Sequence, residues 1–219
     1  DGDGHTISGL YINDSSANYQ GLFGYVSGTV QNLSVSGSVS GSGNSVGGVV
    51  GYNSSSIVAD NSSNVENCYN IGEVSGSPVG GVVGYNDTGA TVSNCYNIGT
   101  VTGSGDRSNV GGVVGDNYGS VTNCYFLSST AASGIGSGGA DATPLTPEEF
   151  KDQNSFTHWD FGSTDTPGIW EINTTLNRPV LKDNHEDDGS EQHPYEIFTA
   201  TQLENFRDLV NDGIEKSAH

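Results

Sequence analysis

The sequence predicts an all-β chain, a parallel β-solenoid with a small C-terminal cap containing short helices, and three observations lead there. A glycine-rich block recurs along roughly the first 130 residues, the segments within it are β-branched with period two, and only 32% of the 219 residues are hydrophobic. Leu, Ile, Val and Phe make up about a fifth of the chain, close to the composition at which disorder is the default reading. So few apolar side chains build a core only if a regular arrangement uses nearly all of them.

Three copies of the block are plain. VGGVVGYN at 46–53 is followed by NVENCYNIGEV at 64–74, VGGVVGYN at 79–86 by TVSNCYNIGTV at 91–101, and VGGVVGDN at 110–117 by SVTNCY at 120–125. A degenerate copy precedes them, QGLFGY at 20–25 and TVQNLSVSGSV at 29–39. The closing glycines Gly24, Gly51, Gly84 and Gly115 and the cysteines Cys68, Cys95 and Cys124 are unevenly spaced, because a segment of variable length falls between the two fixed parts. A loop inserted on a rigid coil behaves this way. Each predicted strand is too short to stand alone, so each coil must bury its apolar side against the next, which stacks equivalent residues about 4.8 Å apart. Ladders of Val on Val, Cys on Cys and Asn on Asn follow, with Val50, Val83 and Val114 facing inward. Paired glycines suit corners where the backbone of one coil crowds its neighbour.

These blocks resemble GLUG-type repeats of bacterial and archaeal cell-surface proteins, among them adhesins and non-catalytic parts of immunoglobulin A peptidases. The resemblance spans about residues 1–130, and DGDGHTISGLYI at 1–12 is similar to the strand that precedes the first such repeat. It implies a right-handed β-helix at the cell surface, and a stalk, adhesin or accessory module rather than a reaction.

Charge narrows the partners. Six Lys and Arg against 26 Asp and Glu give a net charge of −20, which excludes nucleic acid and anionic membranes as expected partners because no cationic footprint is present. No apolar run reaches the roughly 20 residues of a membrane span, and no secretory signal opens the chain. With no methionine, the chain is expected to begin after processing or within a longer precursor. Sequons at Asn13, Asn32, Asn53, Asn61, Asn86 and Asn173 fit an exported, extracellular protein.

After about residue 130 the repeat is expected to stop, leaving a capping segment, 131–185. Ala131 to Ala142 reads as a small-residue connector, and Thr146 with Glu149 as the capping box of a short helix. Trp159 to Phe161, Ile169 to Ile172 and Pro179 to Leu181 read as a strand pair folded across the solenoid end, where large aromatics cover open edges. Residues 186–219 differ again: an acidic linker leads to a strand carrying Tyr195 and Ile197 and then to an amphipathic helix. That helix has a capping box at Thr201 and Glu204, Leu203, Phe206 and Leu209 on one face, and Gly213 at its end. This strand and helix resemble the entry segment that lies upstream of such modules.

Catalytic chemistry is not expected. Asp60, Glu66, Glu73, Asp87, Asp106 and Asp116 occupy unlike repeat positions, and Arg107 is the single base among the coils. Asp1 and Asp3 sit in an Asp-Gly turn without the spaced acids of a calcium loop. His5, His158, His185, His193 and His219 show no ligand spacing, and the cysteines form no Cys-x-x-Cys pair. No cofactor or metal is predicted. Leu33 fills the cysteine position in the degenerate copy, so a buried, reduced column is the favoured reading, with disulfide cross-linking between coils as the alternative. Tyr69, Tyr96 and Tyr125 are read as a structural stack rather than a sugar platform.

The expected function is therefore a non-enzymatic extracellular structural protein whose subunits join head-to-tail into a surface layer, sheath or fibre. The segment with Tyr195, Ile197, Leu203, Phe206 and Leu209 of one copy would complete the edge at Ile7, Leu10 and Ile12 of the next. An adhesin module that binds host or cell-wall glycans or proteins is the alternative, favoured by long inserted loops such as 53–64; a third is an accessory module of a surface protease.

Overall fold

The computed structural model describes residues 1–55, 62–104, 109–139, 142–163 and 166–182. The chain divides into two compact units, 1–182 and 183–219, and the second lies outside the described residues.

Equivalent segments of successive repeats pair in parallel. In one sheet the order is Phe23–Val26, Val50–Asn53, Val83–Asn86, Val114–Asn117 and Ile135–Gly138, with Phe23, Val50, Val83, Val114 and Ile135 in register. A second sheet stacks Tyr19–Gln20, Ser45–Gly47, Val79–Gly80 and Val110–Gly111. The third begins with Thr6–Asp14 against Thr29–Gly41 and carries Val30, Val65, Val92 and Val121 in register. A one-residue slip would turn each valine to the other face, so burial fixes the register. Between the sheets, Val50, Val83 and Val114 pack with Val65, Val92 and the cysteines in one buried cluster.

Glycine is needed where repeats touch. A Cβ on Gly84 would lie 2.6 Å from both Gly51 O and Val46 N, and one on Gly99 would lie 1.8 Å from Gly72 O. Both clashes are with backbone, which cannot swing aside.

Asparagine side chains inside the stack pair along its length, although Gln20 Oε1 and Asn67 Oδ1 are buried without a hydrogen-bond partner. Asn53 Nδ2 donates to Asn86 Oδ1 at 2.8 Å, and Asn86 Nδ2 to Asn117 Oδ1 at 2.8 Å. Asn70 donates to Asn97 at 2.9 Å, while Gly72 N and Gly99 N donate to their Oδ1 atoms. A third set, Asn32, Asn67, Asn94 and Asn123, precedes the Leu33 or cysteine position with φ between 50° and 54°. Asparagine tolerates this left-handed turn better than other side chains.

Two expectations need correction. Parallel pairing does not stop at residue 130: Ile135–Gly138 adds to the first sheet, and Thr143–Leu145 pairs with Tyr125–Leu127. Ile135 takes the inward valine's place and Gly136 that of the box glycine, so the small-residue connector is a worn repeat. The capping segment also covers a flank of the stack rather than its end alone, because its aromatics pack on Tyr69, Tyr96 and Tyr125 from three successive repeats. Among its described residues, Trp170–Asn173 and Arg178–Leu181 form the antiparallel pair, and near Trp159 there is an isolated bridge, Gly162 to Pro167, rather than a strand. The Thr146–Glu149 capping box is present, with Thr146 N donating to Glu149 Oε2 at 2.8 Å and Glu149 N to Thr146 Oγ1 at 3.3 Å. It opens two short 3-10 turns, Glu149–Lys151 and Gln153–Ser155.

Candidate functional site

Two tyrosine columns run along the stack, and only one is open to ligands. Tyr69, Tyr96 and Tyr125 stand in register one residue after the cysteines and are buried. Tyr69 and Tyr96 stack at 4.7 Å. Trp170 lies 6.0 Å from each of them, and Arg178 sits 5.2 Å over the Tyr69 ring. Arg178 Nη1 donates to Tyr96 OH at 2.8 Å, and Tyr96 OH donates to Pro179 O at 2.6 Å. Burial holds the Tyr96 phenol well above its ordinary range. This column is the seat of the capping segment.

The second column follows from the residue after the box glycine. Tyr25 stacks on Tyr52 at 5.4 Å and Tyr52 on Tyr85 at 4.7 Å, each pair within 8° of parallel. Asp116 stands in register with Tyr85, and Tyr118, two residues on, supplies the next ring at 5.3 Å. Tyr19 leans on Tyr52 at 4.9 Å. Tyr25 is 56% exposed and Tyr118 60%. Two carboxylates flank the rings: Tyr52 OH donates to Asp87 Oδ2 at 3.1 Å, and Asn109 Nδ2 to Asp116 Oδ1 at 2.6 Å. Burial, then the Asp87 contact, raises the Tyr52 phenol. Burial also raises the Asp116 carboxyl, against the pull of the Asn109 hydrogen bond. Sequence reasoning passed over this column, although the identical GYN endings at 51–53 and 84–86 carried the signal.

A third feature is the apolar face beside Thr6–Asp14. Ile7, 44% exposed, and Phe23, 41% exposed, flank a cleft of about 410 Å³ floored by Leu22, Val30 and Leu33. Asp1, His5 and Gln31 edge it. Leu10 and Ile12, expected to serve assembly beside Ile7, instead pack partly buried against the chain's own valines. Tyr195, Ile197, Leu203, Phe206 and Leu209 lie outside the described residues, as do Asp60, Asp106 and Arg107.

Cys68, Cys95 and Cys124 are free and buried among the valines. Each thiol sits near the carbonyl two residues back, at 3.2, 3.1 and 3.3 Å, and burial pushes the Cys95 thiol far up. Among the described residues no group of three His, Cys, Asp or Glu could hold a metal ion. Glu66 pairs opposite Gln31 and Ser93 in the third sheet, on a different sheet from Asp116. The sequons need revision as well. Asn53 and Asn86 are fully buried ladder members, so neither can accept a glycan.

The GLUG motif matches residues 76–102 and 106–130. Two GLUG motifs therefore lie within the chain. The matched stretches contain the second and third copies of the glycine box together with Cys95 and Cys124. Among solved structures the GLUG-repeat chain is similar to a "putative immunoglobulin A1 protease" from Bacteroides ovatus, at 20% identity and a TM-score of 0.51 over 84% of this chain and 76% of that one. At that identity the likeness concerns the fold. No curated protein matches the chain in sequence. Among the described residues no helix is long and apolar enough to cross a membrane.

Proposed function

We propose that this GLUG-repeat chain is a non-enzymatic, extracellular structural module, a right-handed β-solenoid whose copies join head-to-tail at the cell surface. The observation that carries the reading is the apolar cleft between Ile7 and Phe23, open along a strand edge. Such an edge offers unpaired backbone groups beside apolar side chains, which a strand from another copy can cover by β-augmentation. The sequence offers a matching occupant, the segment with Tyr195, Ile197, Leu203, Phe206 and Leu209 that its pattern predicts to be a strand and an amphipathic helix. Repeating that contact between copies gives a filament, or a ring where the rotation closes.

The right hand rests on the general handedness of parallel crossovers and on the likeness of GLUG repeats to β-helices. A surface location is supported by the GLUG motif and by the acidic composition. The non-enzymatic part is supported by carboxylates divided between two sheets, Glu66 on one and Asp116 on another. The protease description of the similar structure is not carried over, because the shared feature is the fold. An adhesive role is the second reading, favoured by the open tyrosine column.

Electron microscopy and sedimentation of the whole chain test the proposal. Filaments or rings are expected, and deletion of residues 190–219 should leave folded single copies. Polymers that persist after the deletion would refute the contact, and single copies of the intact chain at high concentration would refute the assembly.

A further inference from the structure

The Tyr25, Tyr52, Tyr85 and Tyr118 column is the feature that assembly leaves unused. Its inner ring faces are occupied by one another, at 4.7 to 5.4 Å, so a flat aromatic ligand has no place to intercalate. The half-buried rings of Tyr52 and Tyr85 and the exposed rings of Tyr25 and Tyr118 lie beside Asp87 and Asp116. Open ring faces remain at the two ends, where Tyr25 and Tyr118 are more than half exposed.

We propose that this column binds an uncharged polysaccharide lying along the stack axis. Tyr25, Tyr85 and Tyr118 can each donate and accept, Tyr52, whose proton goes to Asp87, can accept, and each carboxylate accepts, which suits a ligand covered in hydroxyls. Anionic polymers are disfavoured by Asp87, Asp116 and a net charge of −20. Period decides between a glycan and a peptide. Same-face residues of an extended peptide recur about every 6.8 Å, twice the strand rise, and fall out of step with rings 4.7 to 5.4 Å apart. One pyranose unit of an extended chain has close to the length of one ring spacing, so successive sugars meet successive tyrosines. The terminal rings add apolar faces on which a sugar's C–H side can rest.

Tyr85 and Tyr118 lie away from the Phe23–Val26 edge strand, so their variants should leave assembly unchanged and the two proposals fail separately. The test is affinity electrophoresis of the whole chain through gels containing hydroxyethyl cellulose, xylan or galactomannan, with polygalacturonate and polylysine as charged controls. Retardation by at least one neutral polymer is expected. Tyr118→Ala and Tyr25→Ala, both at exposed ends, should together weaken it about tenfold. Tyr85→Phe keeps the ring stack but removes one hydroxyl, and should weaken it about fivefold. Equal thermal unfolding of the variants shows that folding is intact. No retardation by any neutral polymer, retardation indifferent to the three substitutions, or binding confined to polylysine would each overturn the proposal.

Discussion

Asn53 donates its side-chain amide to Oδ1 of Asn86 at 2.8 Å, from one repeat to the next. Asn86 passes the pattern on to Asn117 at the same distance. Each amide is thus both donor and acceptor within the stack, where water cannot replace a lost partner.

Asn86→Ala should lower stability by about 1–3 kcal/mol, because it takes the donor from Asn117 Oδ1 and leaves Asn53 Nδ2 with Thr91 O as its remaining acceptor. Denaturant unfolding measures this, with exposed Asn13→Ala as an unchanged control. In a glycosylating host, peptide mass spectrometry should find Asn53 and Asn86 unmodified. A glycan on either would contradict their burial.

Val83 is fully buried between Val50 and Val114. Val83→Ala should cost about 2 kcal/mol through the cavity it leaves. Val83→Asp should cost several times more, since the charge has no partner there. Unaltered thermal unfolding of Val83→Asp would show that this residue does not face the core.

The thiols should be silent in the folded protein. Burial disfavours the thiolate and raises the Cys95 pKa, so iodoacetamide at mildly alkaline pH should label Cys68, Cys95 and Cys124 only after unfolding. Rapid native labelling of all three would contradict the buried column.

Asp116 sets a pH dependence. Its carboxyl is raised by burial, so the folded state holds its proton more tightly than the unfolded one. The stabilisation from that proton is complete below the ordinary aspartate range, near pH 3.9, and is lost as pH rises through the folded value. Asp116→Asn should therefore unfold at higher temperature than the parent at pH 7, with the gap closing toward pH 3.5. A constant gap would show that the raised carboxyl is not its source.

The repeat made most of the fold legible, because VGGVVG and NCY recur in register and one copy constrains the rest. The inward valines follow from period two, and the cysteine position from Leu33 in the degenerate copy, which stands opposite Cys68. The rung at Ile135 was hidden because only the Gly-Ile-Gly at 134–136 survives of its box, and backbone pairing needs no side-chain identity. The fate of each tyrosine column was not legible either. Both sit at repeat positions next to similar residues, and only the path of Thr146–Lys182 over Tyr96, anchored through Arg178 and Pro179, decides which is covered.

The most direct test of the central claim is a mixing experiment measured by light scattering. One partner is the chain lacking residues 190–219, with an open cleft and no plug; the other is the full chain with Ile7→Asp and Phe23→Asp, which keeps the plug and spoils the cleft. Head-to-tail contact predicts that each alone is a single copy and that the mixture forms one-to-one dimers and nothing larger. Polymers from either partner alone, or no dimer in the mixture, would contradict it.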